Sequence, residues 1–214
     1  MNGDSTNIFS RGLKKFLQTG RLGQEANIPN ALQAGGKGTE GGKMMGKKKL
    51  FRGAAVVGGG LTKLGLFKDR NSKDFFAEAY LEMLDSVDKG VDPKDIEAIY
   101  VGNFTNDFFV NQAHWSPIIA DLLGLVPRPV TRTEGACASS ALSFREGVLA
   151  IASGLYDIVL VGGFEQMSKR TTEEVAEGLG MAASPYEVAA GFTFPGVFGT
   201  MATAYFAKYG ADRE

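Results

Sequence analysis

Short apolar segments alternate with longer amphipathic ones through residues 52–214, and this alternation restricts the fold more than any other feature of the chain. Asp74 to Val87 places Phe75, Phe76, Ala79, Leu81, Met83 and Leu84 at helical spacing, and Asp92-Pro93 then leads into the strand-like run Ile96 to Val101. The pattern returns: Ala113 to Leu123 reads as a helix, Pro129 to Thr133 as extended, Ser139 to Ala152 as a helix. Ile158 to Val161 is wholly apolar, as expected of a strand covered on both faces in a parallel sheet. Such alternation implies an α/β layered fold with a mixed, mainly parallel sheet and helices against it. Upstream, Ala54-Ala55-Val56-Val57 runs into Gly58-Gly59-Gly60 and reads as a short buried strand closed by a glycine turn. Gly58, Gly59, Gly60 and Gly65 do not follow the G-x-G-x-x-G order and no helix opens on them, which argues against a dinucleotide site. From about residue 164 to 200 the chain is rich in Gly, Ala and Pro, too long for an ordinary connector and expected to form an excursion from the core. A last helix is expected from Met201 to Tyr209.

Charge divides the chain differently. Residues 1–52 hold ten Lys or Arg against three Asp or Glu, and the remainder thirteen against twenty-one. Residues 1–51, basic and marked by Gly35-Gly36, Gly41-Gly42 and Lys47-Lys48-Lys49, bury too little apolar surface to offset the entropy of ordering them, so they read as a disordered extension. Met44 or Met45 is an alternative start, and the scarcity of acidic residues also fits a transit peptide. The extension lacks interleaved aromatics and a long amphipathic face, so neither nucleic acid nor a membrane surface is its expected partner. No run approaches the roughly 18 apolar residues needed to span a bilayer. A single cysteine and no apolar leader core point to a reducing, cytoplasmic setting, in which the sequon Asn103-Phe104-Thr105 has no meaning.

That cysteine carries the chemistry. In Thr133-Glu134-Gly135-Ala136-Cys137-Ala138-Ser139-Ser140, Cys137 falls between a strand end and the first turn of a helix, where unbonded N–H groups and the helix dipole favour a thiolate. The small residues Gly135, Ala136, Ala138 and Ser139 leave room for a bulky acyl donor, and the Cys137 N–H is placed to help hold an oxyanion. Nucleophilic acyl transfer fits these residues, and so does a small, buried, inert cysteine.

Glu134-Gly135-Ala136-Cys137-Ala138-Ser139-Ser140, followed by Gly162-Gly163-Phe164-Glu165-Gln166-Met167-Ser168, resembles the paired signature of the thiolases. Gly191-Phe192-Thr193-Phe194-Pro195-Gly196 and the helix ending Lys208-Tyr209-Gly210 extend the likeness to the sterol-carrier-protein-like and archaeal acetyl-CoA acetyltransferase branch. The resemblance covers residues 52–214 and implies the N-terminal half of a thiolase-like fold, with the C-terminal domain absent. It implies ping-pong acyl transfer through a Cys137 thioester, with coenzyme A thioesters as substrates, no permanently bound cofactor and no metal. It also implies a homodimer or homotetramer in the full-length form, with a zinc-ribbon and OB-fold protein as a further partner. Family members use a histidine and a second cysteine from the later half of the fold, whereas this chain has only His114 and Cys137. His114, at the start of a helix near the family's subunit interface, is expected to be structural rather than the base.

The likeness has departures. Cys137-Ala138-Ser139-Ser140 stands where biosynthetic thiolases have Cys-x-Ser-Gly, and Val197-Phe198-Gly199-Thr200-Met201-Ala202-Thr203 where they have His-Met-Gly-x-Thr-Ala-Glu lining the acyl pocket. Phe198 and Gly199 are therefore the candidate substrate-binding residues, with Phe198 alternatively packed in the core. Glu165 and Met167 are expected to support the site, and Glu134 either orients the nucleophile loop or forms a surface ion pair. Two other readings stay open: a ketoacyl-synthase-like condensing enzyme, and a thiolase-fold subunit that depends on another chain. An isolated first half is expected to expose apolar surface, associate and be poorly soluble.

Overall fold

The computed structural model describes residues 52–210, so the extension expected over residues 1–51 lies outside the described residues. The sheet is parallel and three-stranded, with β1 (Ala98–Gly102) in the centre, β2 (Val130–Thr133) on one side and β3 (Val159–Gly163) on the other. Register aligns Gly102 with both Thr133 and Gly163, so the three strands end level with one another.

Alternation along the strands divides the core. Ile99 and Val101 of β1 and Leu160 of β3 join Phe76 and Tyr80 of α1 (Ser72–Asp85) and Trp115 and Ile119 of α3 (Trp115–Leu122) in one apolar cluster. Each such side chain contributes about 1.5–3 kcal/mol when fully removed from water. The opposite face carries α4 (Ser139–Ala152), whose buried side is made of Ser139, Ser143, Gly147 and Ala150. Small residues let it lie close: a Cβ at Gly147 would stand 2.5 Å from Val161 Cγ2. Helices on both faces of a parallel sheet give the α/β architecture the alternation predicts.

Local signals set the helix starts. Asn71 caps α1 and Asp74 returns the bond, shifting its start two residues ahead of the expected Asp74. Short α2 (Asn106–Phe109) follows β1, and α5 (Thr172–Gly180), α6 (Pro185–Ala189) and α7 (Phe194–Tyr209) occupy the glycine-rich stretch after β3. The last of these begins seven residues before the expected Met201, because Thr193 accepts from Gly196 N–H and Pro195 sits in the first turn. No residue of α7 is buried.

One expected strand is not one. Ala54 to Val57 has no strand assignment, and Val56 and Val57 are 74% and 67% exposed rather than buried. A strand needs a partner for its N–H and C=O groups, and among the described residues β3 pairs only with β1. A cavity of about 280 Å³ is lined by both Ala54 to Gly58 and Ile158 to Val161. Gly58 and Gly60 serve helix contact instead: a Cβ at Gly60 would lie 2.6 Å from Met83 N of α1. No described helix is long and apolar enough to cross a membrane.

Candidate active site

Cys137 lies in a single 3-10 turn, Ala136–Ala138, that joins the end of β2 to the start of α4. In parallel α/β sheets, sites gather beyond the carboxyl ends of the strands, and all three strands end here. Two glycines make the approach possible. A Cβ at Gly102 would stand 2.5 Å from both Cα and N of Ser140, and one at Gly163 would overlap the Ser140 hydroxyl. Helix α4 can thus begin directly over the ends of β1 and β3. Ser140, one of the departures from the family pattern, occupies the room these glycines provide.

The turn itself is held in an uncommon backbone state. Ala136, immediately before Cys137, has φ +48°, a left-handed value that costs a residue with a Cβ roughly 1–2 kcal/mol. Its N–H donates to Glu134 Oε1 at 2.6 Å and its carbonyl accepts from Ser139 Oγ at 2.7 Å. Ser139 Oγ also accepts from Gly135 N–H at 3.1 Å. Thr133 Oγ1 donates to Ser139 O at 2.9 Å and shares a 2.6 Å bond with Ser143 Oγ, anchoring the turn to β2. Cys137 is exposed. No side chain caps the start of α4, in contrast to α1, α5, α6 and α7. Its first N–H groups stay free of side-chain acceptors beside the cysteine, a setting that favours negative charge.

A polar shell fixes the neighbouring loop. Asn103, 1% exposed, donates through its backbone N–H to Thr133 O at 3.2 Å and through Nδ2 to Phe164 O at 2.8 Å, tying β1 to both flanking strand ends. Arg132 grips Asp107 with both Nη atoms, at 2.6 and 3.1 Å, and reaches Phe104 O and Ala113 O. From the other side, Glu165 accepts from the N–H groups of Phe104 at 2.8 Å and Thr105 at 3.3 Å. Partial burial raises the Glu165 pKa above the ordinary value, opposed by those two N–H groups and by Arg132. The residue keeps considerable solvent contact, so water screens the shift. Arg170 completes the clamp through Phe108 O and Phe109 O.

Several expected residues meet these groups and others do not. Glu134 accepts from Ala136 N–H in the turn that bears Cys137, and among the described residues it forms no ion pair. Glu165 supports the strand ends, whereas Met167 is partly exposed. His114 is exposed at the start of α3 and, among the described residues, makes no hydrogen bond to Cys137. Phe198 lies on α7, 56% exposed, with its ring 5.3 Å from that of Phe194, so the core placement is not adopted. Gly199 faces open space. A cavity of about 720 Å³ runs from Gly58 to Phe67 and from Leu160 to Ser168, and none of Cys137, Phe198 and Gly199 lines it. Asn103, Arg132 and Arg170 were not foreseen: a polar residue after a strand carries no local sign that it will be buried.

The family model for the thiolase N-terminal domain matches residues 54–214. Acetyl-CoA acetyltransferase of Methanothermobacter thermautotrophicus is 39% identical over 164 residues, 77% of this chain and 42% of the relative. The enzyme of that name from Methanocaldococcus jannaschii is 38% identical over 165 residues, 77% of this chain and 41% of the relative. The benzoylsuccinyl-CoA thiolase subunit BbsB of Thauera aromatica is 28% identical over 171 residues, 78% of this chain and 41% of the relative. The chain thus spans about two-fifths of the length of the curated relatives it matches. Together with a lone cysteine held at the strand ends under an uncapped helix start, these matches identify the chain as a member of the thiolase family, corresponding to its N-terminal domain.

Proposed function

We propose that the protein takes part in thiolase-type acyl transfer with Cys137 as the nucleophile. The observation that carries this reading is the placement of an exposed cysteine in a strained turn at the uncapped start of α4. The Cys137 thiolate attacks the thioester carbonyl of an acyl-CoA, and the tetrahedral intermediate collapses by breaking the bond to the CoA sulfur, which leaves as CoA thiolate. The acyl group, now a Cys137 thioester, is then attacked by CoA thiolate or by the α-carbanion of a second acyl-CoA. The Cys137 thiolate is released in either case, so degradation and synthesis are one path in two directions.

The proton transfers of the second step need a base and an acid beyond Cys137. His114 makes no hydrogen bond to the cysteine, and the chain has one histidine and one cysteine in all, so we assign those groups to parts of the complete enzyme outside residues 1–214. Acyl-CoA and CoA are the substrates of this reading, Phe198 and Gly199 its acyl-pocket candidates, the cytoplasm its setting, and a homodimer or homotetramer, with a zinc-ribbon and OB-fold partner, its assembly. The relation to a protein named as a thiolase subunit favours a second form of the reading, in which this chain works with a partner chain.

The test is intact mass spectrometry after incubation with acetyl-CoA and longer acyl-CoAs. An acyl adduct that disappears in Cys137→Ser is expected. No adduct on demonstrably folded chain, or an adduct that survives the substitution, removes Cys137 from the role.

A further inference from the structure

We infer that Glu134 is a positioning residue for the nucleophile, acting through Ala136. This rests on the reading of Cys137 as the acyl acceptor and adds to it a residue and a means. The peptide units around Ala136 are held from two directions. Glu134 Oε1 takes the Ala136 N–H at 2.6 Å, and Ser139 Oγ donates to the Ala136 carbonyl at 2.7 Å while accepting from Gly135 N–H at 3.1 Å. Ser139 is 5% exposed and fixed to β2 through Thr133, so its side of the clasp belongs to the folded core. Glu134 is exposed, and removing its carboxylate leaves the core untouched. Between these two contacts sits an alanine at φ +48°, a conformation that persists only when its surroundings impose it. The peptide leaving Ala136 carries the N–H of Cys137, so the left-handed residue sets how the cysteine enters α4.

Without Glu134, Ala136 relaxes toward ordinary φ values and Cys137 turns away from the start of α4 and the positive end of its dipole, slowing its reaction with electrophiles. A glycine at 136 holds the left-handed state without help. A double-mutant cycle isolates this coupling.

The measurement is the rate constant for alkylation of Cys137, the chain's single thiol, by iodoacetamide, with folding of each variant checked by circular dichroism. Glu134→Ala is expected to slow alkylation at least about fivefold, and Glu134→Gln, which keeps an acceptor oxygen, to restore it. In an Ala136→Gly background, Glu134→Ala is expected to have no effect. An unchanged rate in Glu134→Ala, or the same slowing with glycine at 136, overturns the inference. Because alkylation needs no acyl-CoA, these outcomes are independent of whether Cys137 accepts an acyl group: a working clasp without an adduct rejects the proposed reaction alone.

Discussion

Gly102 lies where the first turn of α4 crosses the end of β1, and all three atoms nearest a Cβ placed there belong to the Ser139–Ser140 backbone, at 2.5 to 2.6 Å. Backbone cannot swing aside, so Gly102→Ala is expected to cost about 1–3 kcal/mol, seen as a lower urea midpoint. Gly59→Ala, where a Cβ meets nothing within 4 Å, is the control and should stay within about 0.5 kcal/mol. Glu165 gives a pH prediction. Burial raises its folded pKa above 4.5, so the folded state holds the proton more tightly than the unfolded chain. This contribution is present in full below the ordinary carboxylate value and is lost as pH rises through the raised one. Glu165→Gln should flatten the stability profile just above pH 4.5, where the parent loses stability; equal slopes in urea titrations of the two would contradict the assigned shift. The place of Cys137 between a strand end and a helix start was legible in the sequence, because the extended run before it and the helical run after it each carry their own periodicity. The left-handed Ala136 was not, since the contacts that impose it come from a carboxylate and a hydroxyl whose directions only the folded turn defines.

At the scale of elements, reading by periodicity succeeded where an element carries its own reasons. Ser139 to Ala152 was read residue for residue, because its small buried face repeats at helical spacing and defines the helix without reference to its neighbours. Ala54 to Val57 was misread for the opposite reason: apolar, β-branched residues favour a strand, but pairing is conferred by a neighbour. The early start of α7 was signalled by Thr193 and Pro195 and obscured by Gly196 and Gly199, which suggested a break. Because this helix buries no residue, Phe198→Ser combined with Met201→Ser should change the unfolding free energy by less than about 1 kcal/mol, whereas Phe76→Ala in the core should cost about 3–5 kcal/mol. A loss above 2 kcal/mol in the α7 variant, by urea unfolding, would mean that the helix is packed.

At the scale of the molecule, the exposed apolar side chains among the described residues include a run before α1, Leu61, Leu64 and Leu66, and a row along α7, Phe198, Met201 and Tyr205. Apolar surface of this kind promotes association. Sedimentation of the chain should depend on concentration, and the α7 double variant should weaken that dependence; a sharp monomer across the range would contradict it. The α/β class and the strand-end position of Cys137 were readable from the alternation and the motifs, but the arrangement around them was not, because Asn103, Arg132 and Glu165 reach partners about thirty to sixty positions away. The strand order has a further consequence, which belongs to time rather than space. Strand β1 leaves the ribosome before either neighbour, yet takes the central place, and β3 follows about sixty residues later. At about 5–20 residues per second, about three to twelve seconds pass before β1 has a partner on both edges. Over that interval the turn bearing Cys137 emerges with β2 before the last strand of the described sheet exists, and the site takes shape only when Gly163 closes over Ser140.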